Sequence, residues 1–462
     1  MRRTSGIARK LLGAGFLLGL LMLLLAEPAS AQEDTAAADA VQAVVDNIWV
    51  FIAGILVFLM QAGFALVEAG LTRAKNVANI MAKNLSDFAI GVVMFFIMGY
   101  AIAFGGGNDW FGTDLFFLGS SSGLFEYGGS GVGNLTIATF FFFQVVFAAT
   151  AVTIASGAMA ERTKFGSYLI FGAFMTGIIY PVVVHWTWGG GLIAGMSIGD
   201  AVYSDFAGST IVHLTGGIAA LMGAIMLGPR IGKYTADGKP RVLPGHSTPF
   251  VIVGVMILVF GWFGFNPGSE LAADEYVAFV AVNTILAAAG GTIAAAGTIW
   301  LKAGKPDVGM AGNGTLAGLV AITAPCGTVE PWAALLIGII GGVIVVFSVL
   351  IIENMRIDDP VGAVSVHGVV GIWGTLSIGL FAKYDDAFLG REDAGLFYGG
   401  GLDQLIMQLL MVIIVVAWVA ITTGIVFYGL KKTVGLRVTE EEEIEGLDVL
   451  EHGSAGYHAD VL

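Results

Sequence analysis

Two of the six histidines lie well inside apolar stretches, away from their ends: His213 follows Ile211-Val212, and His367 follows Ser365-Val366. A neutral imidazole can accept a proton on one ring nitrogen and release another from its second nitrogen. Ionisable side chains are costly within a membrane, so those found in apolar segments are candidates for function. Taken singly, such a histidine more often packs in a core with its hydrogen bonds satisfied. A pair in matched positions instead predicts a site that relays protons.

The positions of the two histidines do match. His213 lies eight residues after Asp205, and His367 lies eight residues after Asp359. At about 1.5 Å per helical residue, each histidine is roughly 12 Å into a membrane core about 30 Å thick. If the two segments enter from opposite faces, both histidines approach the midplane. This arrangement predicts an inverted repeat of helices 1–5 and 6–10, and transport sites commonly lie between such repeats.

A metal site is the alternative interpretation of the histidine pair. Two histidines without a cysteine or a nearby intramembrane carboxylate form a poor ligand set for zinc. The single cysteine, Cys326, also excludes an internal disulfide and a cysteine-based metal cluster. We therefore expect no metal and no cofactor. The apolar stretches offer neither a nucleophile nor a metal cluster, so we do not expect an enzyme.

The composition indicates that most of the surface faces lipid. Of the 462 residues, 56% are hydrophobic and only 12% are charged, whereas soluble domains average about 25% charged residues. The 68 glycines suit helices that approach each other closely in a membrane. The net charge of −14 argues against a nucleic-acid partner. The predicted fold class is all-α, a polytopic membrane protein.

The first residues, 1–31, have the pattern of a signal peptide. Four basic residues precede an apolar run at 11–25, and Ala29-Ser30-Ala31 forms a small-residue cleavage site. Cleavage there would leave the mature N-terminus outside the cell. The alternative is an uncleaved first helix.

Eleven apolar stretches follow, each near the ~20 residues that cross a bilayer core. They lie at roughly 47–69, 84–104, 135–160, 166–187, 207–228, 249–266, 277–301, 311–327, 332–352, 361–381 and 404–430. With the N-terminus outside, fifteen of the seventeen basic residues after the signal peptide fall in cytoplasmic segments, 70–83 among them. We expect an eleven-helix domain at 47–430 in the cell (inner) membrane and a cytoplasmic tail at 431–462.

Aromatic residues form a second group of candidates. Phe140 to Phe143 and Phe147 lie in the third stretch, Trp262 and Phe265 end the sixth, and Trp188 follows the fourth. In membrane proteins such residues usually face lipid or anchor helices at the interface. They could instead form a cation–π site and a hydrophobic gate. Spacing leaves both interpretations open.

The chain after the signal peptide resembles the ammonium transporter (Amt) branch of the Amt/Rh family in four separate motifs. Two of these carry the histidines, at 205–213 (DFAGSTIVH) and 358–368 (DDPVGAVSVHG). The third, GAMAER at 157–162, is similar to the end of the family's third helix. The fourth, GLRV at 435–438 with EGLD at 445–448 and HG at 452–453, resembles the C-terminal motif.

The resemblance implies roles for individual residues. Trp188, Ser269 and Phe147 match the family's outer site, which recruits ammonium. Asp205 matches the buried aspartate that supports this site. Phe147 and Phe265 match the family's gate of two stacked rings. Phe143 matches a further outer aromatic residue. Pro267 departs from the small residue that the family pattern has at that position, and it could shift Ser269.

The resemblance also implies a function. Ammonium would lose a proton outside, ammonia would cross an apolar pore, and the twin histidines would carry the proton, giving net electrogenic uptake. The alternatives are an electroneutral NH3/CO2 gas channel of the Rh type, and an ammonium sensor with little flux, for which the tail is short. The family is homotrimeric, and its tail commonly binds a PII-type signalling protein. A disordered acidic end is the alternative for this tail.

Overall fold

The computed structural model describes residues 29–119, 123–383 and 394–457. Within these ranges, eleven apolar helices form the bundle, and their bounds include the 3₁₀ and π turns that continue them. They are α1 (Ala29–Leu71), α2 (Ala74–Phe104), α3 (Ile137–Ala158), α4 (Phe165–Trp186), α5 (Ser209–Leu227), α6 (Thr248–Glu270), α7 (Tyr276–Ala303), α8 (Val308–Thr323), α9 (Pro331–Asn354), α10 (Val364–Phe381) and α11 (Asp403–Thr433). The structure describes the chain from residue 29 onward, so residues 1–28 of the predicted signal peptide lie outside the described residues.

Ten of these helices are long and apolar enough to cross a membrane. The remaining one, α8, has 16 residues and packs against both α7 and α9. The prediction of an all-α polytopic membrane protein is therefore confirmed. The count of eleven crossings and the orientation of the chain remain predictions.

Short elements connect the helices. Strands β1 (Ser197–Ile198) and β2 (Ala201–Val202) pair antiparallel, with Ser197 opposite Val202. Single 3₁₀ turns lie at Phe116–Leu118 and Leu396–Tyr398. Beyond α11, two short helices follow in the tail, α12 (Glu440–Glu445) and α13 (Leu447–His452).

Local sequence signals set several helix starts. The first backbone N–H groups of a helix have no acceptor within the helix, and a side-chain oxygen of serine, threonine or aspartate can accept a hydrogen bond from one of them. The side chains of Thr136, Ser247 and Asp307 accept such hydrogen bonds at the starts of α3, α6 and α8. A proline opens α9, where its missing N–H costs nothing.

Glycine contacts bring α5 and α10 together close to the histidines. A Cβ atom on Gly217 of α5 would lie 2.2 Å from the backbone nitrogen of Gly368 in α10. Since heavy atoms cannot approach that closely, glycine is required at position 217. Close approach through small residues is the usual packing of membrane helices. This contact fixes the spacing between the two helices that carry His213 and His367.

One boundary prediction is wrong. The sequence places 70–83 in a cytoplasmic loop, but α2 already begins at Ala74, so Lys83 lies within a helix and is fully buried. Its Nζ donates to the carbonyl of Ser156 in α3 at 3.0 Å. The apolar residues after Lys83 mark only part of this helix, because its first turns carry polar residues that other helices cover.

The tail is folded over its described residues, 434–457, which disagrees with a disordered end. Helix α12 begins with a capping box between Thr439 and Glu442, a motif that satisfies two free backbone N–H groups. The buried Glu443 carboxylate pairs with Arg437 at 2.7 Å. Asp448 accepts a hydrogen bond from the backbone N–H of Asn79 at 3.0 Å, which ties the tail to the start of α2.

Candidate functional site

The site begins with the aspartate that starts α5. The Asp205 carboxylate is buried and accepts four backbone hydrogen bonds, from the N–H groups of residues 208 to 211, at 2.8 to 3.1 Å. These are the N–H groups that a helix start leaves without internal partners. Burial raises the pKa of Asp205, and the four hydrogen bonds oppose that shift. Asp205 thus anchors the turn that carries His213.

Asp359 has the matching position at the start of α10. Its carboxylate accepts from the backbone N–H groups of Gly362 at 3.0 Å and Val364 at 2.7 Å. Burial raises its pKa as well, again against backbone hydrogen bonds. The two histidine helices therefore begin in the same way, each from an aspartate eight residues before its histidine.

Both histidines lie in π turns, at Ser209–Leu214 and Val364–Val369. A π turn inserts an extra residue into a helix and is frequent at functional sites. The Nδ1 atoms of His213 and His367 are 3.2 Å apart, and the ring centroids are 5.2 Å apart with the planes 30° from parallel. His213 is fully buried, and His367 is 4% exposed.

Aromatic rings cover His213. Phe265 stacks on it at 5.2 Å and 19°, and Trp262 at 5.1 Å and 21°. The indole of Trp262 is held in turn by a hydrogen bond from its Nε1 to the hydroxyl of Thr323 at 3.0 Å. The sequence does not predict that Trp262 lies beside the histidine, because its place in an aromatic run does not show which face it presents.

The two rings expected to form a gate are in contact. The centroids of Phe147 and Phe265 are 4.3 Å apart, and both side chains are fully buried. Phe143 packs against Phe147 with a centroid distance of 4.7 Å. Because Phe265 also stacks on His213, the pair of rings separates the histidines from the space beyond Phe147.

That space, which we name the outer cavity, has a volume of about 200 Å³. Its lining includes five of the residues singled out from the sequence, namely Phe140, Phe143, Phe147, Trp188 and Ser269. The Nε1 atom of Trp188 donates to the carbonyl of Asp205 at 2.9 Å, which ties the indole to the start of α5.

Ser269 has an acceptor free toward the outer cavity. Its hydroxyl donates to the carbonyl of Phe265 at 2.7 Å, and a hydroxyl has one hydrogen and two lone pairs. The oxygen can therefore accept a hydrogen bond from a cation in the cavity. Pro267 opens the 3₁₀ turn Pro267–Glu270 that contains Ser269, and with proline there Ser269 still lines the cavity.

On the other side of the histidines lies a smaller space of about 30 Å³, which we name the inner cavity. His367, Phe64 and Glu68 are among its lining residues. The expectation that no intramembrane carboxylate lies near the histidines is therefore wrong. Glu68 is not recognised from the sequence because it lies near the end of the first apolar stretch, where a charged residue is expected to be exposed to water.

A metal has no evident ligand set in the parts of the chain that the structure describes, where no group of three or more histidine, cysteine, aspartate or glutamate side chains could hold one. The site is instead an apolar path. It passes from the outer cavity through Phe147 and Phe265 to the histidine pair and then to the inner cavity. A bundle of membrane-length helices around such a path is a polytopic membrane transport protein.

Comparison with known proteins identifies the family. The sequence model of the Ammonium Transporter Family matches residues 48–457. Ammonium transporter Amt2 of Archaeoglobus fulgidus is 46% identical over 422 residues, covering 89% of this chain and 88% of the relative. Ammonium transporter Amt1 of Haloferax mediterranei is 40% identical over 432 residues, covering 89% and 79%. The chain belongs to the ammonium transporter family.

Solved structures agree with this assignment. A structure titled Sensor Amt Protein superimposes with a TM-score of 0.81 at 38% identity, covering 89% of this chain and 99% of that one. Mep2 of Candida albicans superimposes with a TM-score of 0.78 at 29% identity, covering 86% and 87%.

Proposed function

We propose that the protein takes up ammonium by separating it into ammonia, which crosses the apolar path, and a proton, which the histidine pair carries. The observation that carries this proposal is the Nδ1–Nδ1 contact of 3.2 Å between His213 and His367, directly behind the Phe147–Phe265 gate. Net uptake of positive charge follows, because the proton and the ammonia enter together.

Recruitment takes place in the outer cavity. The faces of Trp188, Phe143 and Phe147 attract a cation, since an aromatic ring carries negative charge on its face. Ser269 accepts one N–H hydrogen bond through its free lone pairs. The cation is held there without entering the gate, where burying an unpaired ion would be very costly.

The proton moves through the histidines in a defined direction. In a neutral pair joined through Nδ1, one Nδ1 carries the hydrogen and the other accepts it. When His213 is the donor, its Nε2 has a free lone pair, and this atom has no hydrogen-bond partner among the described residues. One N–H bond of ammonium breaks, leaving ammonia, and His213 takes the released proton at Nε2. His213 passes its Nδ1 proton to His367, which releases its own proton from Nε2.

Selectivity against potassium follows from the same step. Potassium carries the same charge but has no proton to release, so it meets the full cost of entering the apolar path as an ion. Ammonium avoids that cost by crossing as neutral ammonia. The gate rings need only exclude charge.

The experiment replaces both histidines. Purified protein in proteoliposomes receives an ammonium pulse and, separately, a potassium pulse, and the current is recorded on a supported membrane. In the variant His213→Ala/His367→Ala, the ammonium current should fall at least about tenfold, or potassium should begin to carry current through the widened path. Ammonium current and potassium exclusion that both match the wild type would refute the histidine relay.

Two other functions are separated by the same recording. A gas channel would move ammonia without current. A sensor would bind ammonium with little flux, and this candidate has a specific observation behind it, the structural relative titled Sensor Amt Protein. Saturable ammonium binding without a current above that of empty liposomes would favour the sensor.

We further propose a homotrimer in the cell membrane with one path per subunit, and a PII-type protein that binds at the tail. The ordered packing of the tail against α2 and against the α5–α6 connection supports a docking surface, since Asp448 and Arg437 hold it in place. Deletion of residues 435–462 should abolish inhibition by PII. Inhibition that persists after this deletion would contradict the docking proposal.

A further inference from the structure

A buried carboxylate faces the histidine pair from the inner cavity, and the proposed proton relay does not use it. Glu68 lies on α1, three residues before that helix ends, and it is 2% exposed. Both Glu68 and His367 line the inner cavity. We propose that Glu68 accepts the proton that leaves His367 and passes it to the side of the membrane where α1 ends. This inference rests on the proposed function and extends it.

The inner cavity can hold the connecting water. Its volume is about 30 Å³, and a cavity accommodates a water once about 10–15 Å³ is open to its centre. A buried water also needs polar partners, and the lining supplies the His367 imidazole and the Glu68 carboxylate. Most of the remaining wall is apolar, including Phe64, whose ring lies 6.0 Å from that of His367. The cavity wall therefore offers few other proton acceptors.

One oxygen of Glu68 is available for this water. Oε2 accepts from the hydroxyl of Ser156 at 2.8 Å. Oε1 is buried and accepts no hydrogen bond of good geometry within the described residues, although the Asn84 side chain lies near the carboxylate. Two other polar side chains of the wall donate hydrogen bonds to groups other than Glu68. Asn313 donates to the carbonyl of Val361 at 3.1 Å, and Thr153 donates within α3 or to α1. A buried acceptor without a partner is costly, so Oε1 marks a position where a proton or water is expected.

One of the charges around Glu68, that of Lys83, favours the carboxylate anion, whereas the carboxyl groups of Asp87 and Asp359 oppose it. Lys83 reaches Glu68 through Ser156, whose carbonyl accepts from Lys83 Nζ at 3.0 Å while its hydroxyl donates to Glu68. The other ionisable groups in electrostatic range are Asp87, Tyr168 and Asp359. The positive charge of Lys83 offsets part of the cost of burying the carboxylate. An acceptor must be deprotonated before each proton arrives, and this charge favours that state.

The proton balance is simple. The O–H bond of the cavity water lengthens toward Glu68 as the water takes the Nε2 proton of His367, so one N–H bond breaks and one carboxyl O–H bond forms. The carboxylic acid then loses its proton toward the end of α1, and Glu68 returns to the anion. No redox partner and no co-reactant is needed.

The test is the variant Glu68→Gln, which keeps the shape of the side chain and cannot accept a proton. Its ammonium current in proteoliposomes, per transporter, should fall at least about tenfold, whereas Glu68→Asp should recover current to within about threefold of the wild type. Because Glu68→Gln removes one of the carboxylates near Lys83, the double variant Glu68→Gln/Lys83→Met is measured as well and should be equally impaired. A monodisperse elution profile of each variant establishes that it is folded.

The matched control is Asp87→Asn, which also removes a buried carboxylate near Lys83 but lies outside the lining of the inner cavity. It should keep current within about threefold of the wild type. Equal losses in Asp87→Asn and Glu68→Gln would mean that Glu68 only balances the charge of Lys83, and would overturn the inference. So would a wild-type current in the folded double variant.

A pH profile separates a proton acceptor from a structural residue. Acidifying the liposome interior should lower the wild-type current in a single titration step, because protonated Glu68 cannot accept, and the residual current of Glu68→Gln should lack this step. An unchanged step in the variant would overturn the inference while leaving ammonium transport intact. An absence of ammonium current in the wild type would instead contradict the proposed function on which the inference rests.

Discussion

The Nδ1 atoms of His213 and His367 lie 3.2 Å apart, although 154 residues separate them in the chain. Three matched features produce this contact. Each helix starts at a capping aspartate, each continues as a π turn, and the two helices touch at Gly217 and Gly368. These repeated devices are consistent with the predicted inverted repeat, and they place two imidazoles in one hydrogen bond within an apolar path.

Replacing Trp188 by leucine should weaken ammonium recruitment without closing the path. A cation–π contact contributes about 0.5–2 kcal/mol, and about 1.4 kcal/mol corresponds to a tenfold change in affinity. The ammonium concentration that gives half-maximal current should therefore rise about 2- to 30-fold. The measurement is a concentration series of ammonium pulses on proteoliposomes.

The control for Trp188 is Trp110→Leu. Trp110 is 57% exposed and is absent from the lining of the outer cavity. Its replacement should leave half-saturation within about twofold of the wild type. A similar shift in both variants would assign the effect to the general loss of a tryptophan rather than to recruitment in the outer cavity.

Removing the carboxylate of Asp205 should destabilise the protein strongly. Asp205→Ala leaves four buried backbone N–H groups unpaired, and each such group costs about 1–3 kcal/mol. The melting temperature in detergent should drop clearly, and the ammonium current should be lost because His213 is no longer positioned. Asp307→Ala, which removes a single cap at the start of α8, should cost only about 1 kcal/mol. Equal drops would contradict the anchoring role of Asp205.

A pH dependence of stability follows from Asp358. Burial alone would raise its pKa, but hydrogen bonds from Arg230 at 2.8 and 3.0 Å and the charge of Arg230 lower the pKa of Asp358 to about 2, from a usual 3.8. A depressed carboxyl pKa stabilises the fold above the unfolded-state value, and this stabilisation is lost as the pH falls through the folded-state value. The difference of about two pKa units is worth about 2 kcal/mol.

The measurement is the melting temperature of the wild type and of Asp358→Asn from pH 7 to about pH 2. The wild type should be more stable at pH 7, and the gap should narrow between about pH 4 and pH 2. Below that range Asp358 is protonated and the two proteins differ little. A gap that stays constant across the acidic range would show that the Asp358–Arg230 pair does not supply the stabilisation.

Releasing the tail should expose it to protease. Asp448 accepts hydrogen bonds from the backbone N–H groups of Asn79 and Gly456, at 3.0 and 3.2 Å. Asp448→Ala should therefore speed tryptic cleavage in the tail severalfold, as followed by mass spectrometry of the C-terminal fragment. Asp403→Ala, at the start of α11 and far along the chain from the tail, is the control and should cleave at the wild-type rate. No change in Asp448→Ala would mean that Asp448 does not secure the tail.

Hydropathy predicts the helices well because a membrane span must satisfy its backbone internally and present apolar side chains over a defined length. It fails at polar positions that other helices cover. Lys83 is the clearest case, since its charge suggests a loop although it lies inside α2. The sequence predicts the short helix α8 at 311–327, but it lies at Val308–Thr323 and has only 16 residues; contacts with α7 and α9 bury much of it.

Site residues of a type that is rare in membrane spans could be predicted from the sequence. Residues whose role depends on which way the side chain faces could not. Two histidines in apolar stretches stand out at once, and counting from the aspartates suggests that they meet. Neither the π turns nor the stacking of Trp262 on His213 can be predicted from the sequence. Glu68 sits close enough to a helix end to pass for an interfacial residue, and only packing shows that it faces the inner cavity with His367.

The separation of ammonium into ammonia and a proton is tested most directly by the current of the wild-type protein. Purified protein on a supported membrane receives ammonium and then potassium at equal concentration. Ammonium should give an inward current well above that of protein-free liposomes, and potassium should give none above that background. Potassium current equal to the ammonium current, or no ammonium current at all, would contradict the account.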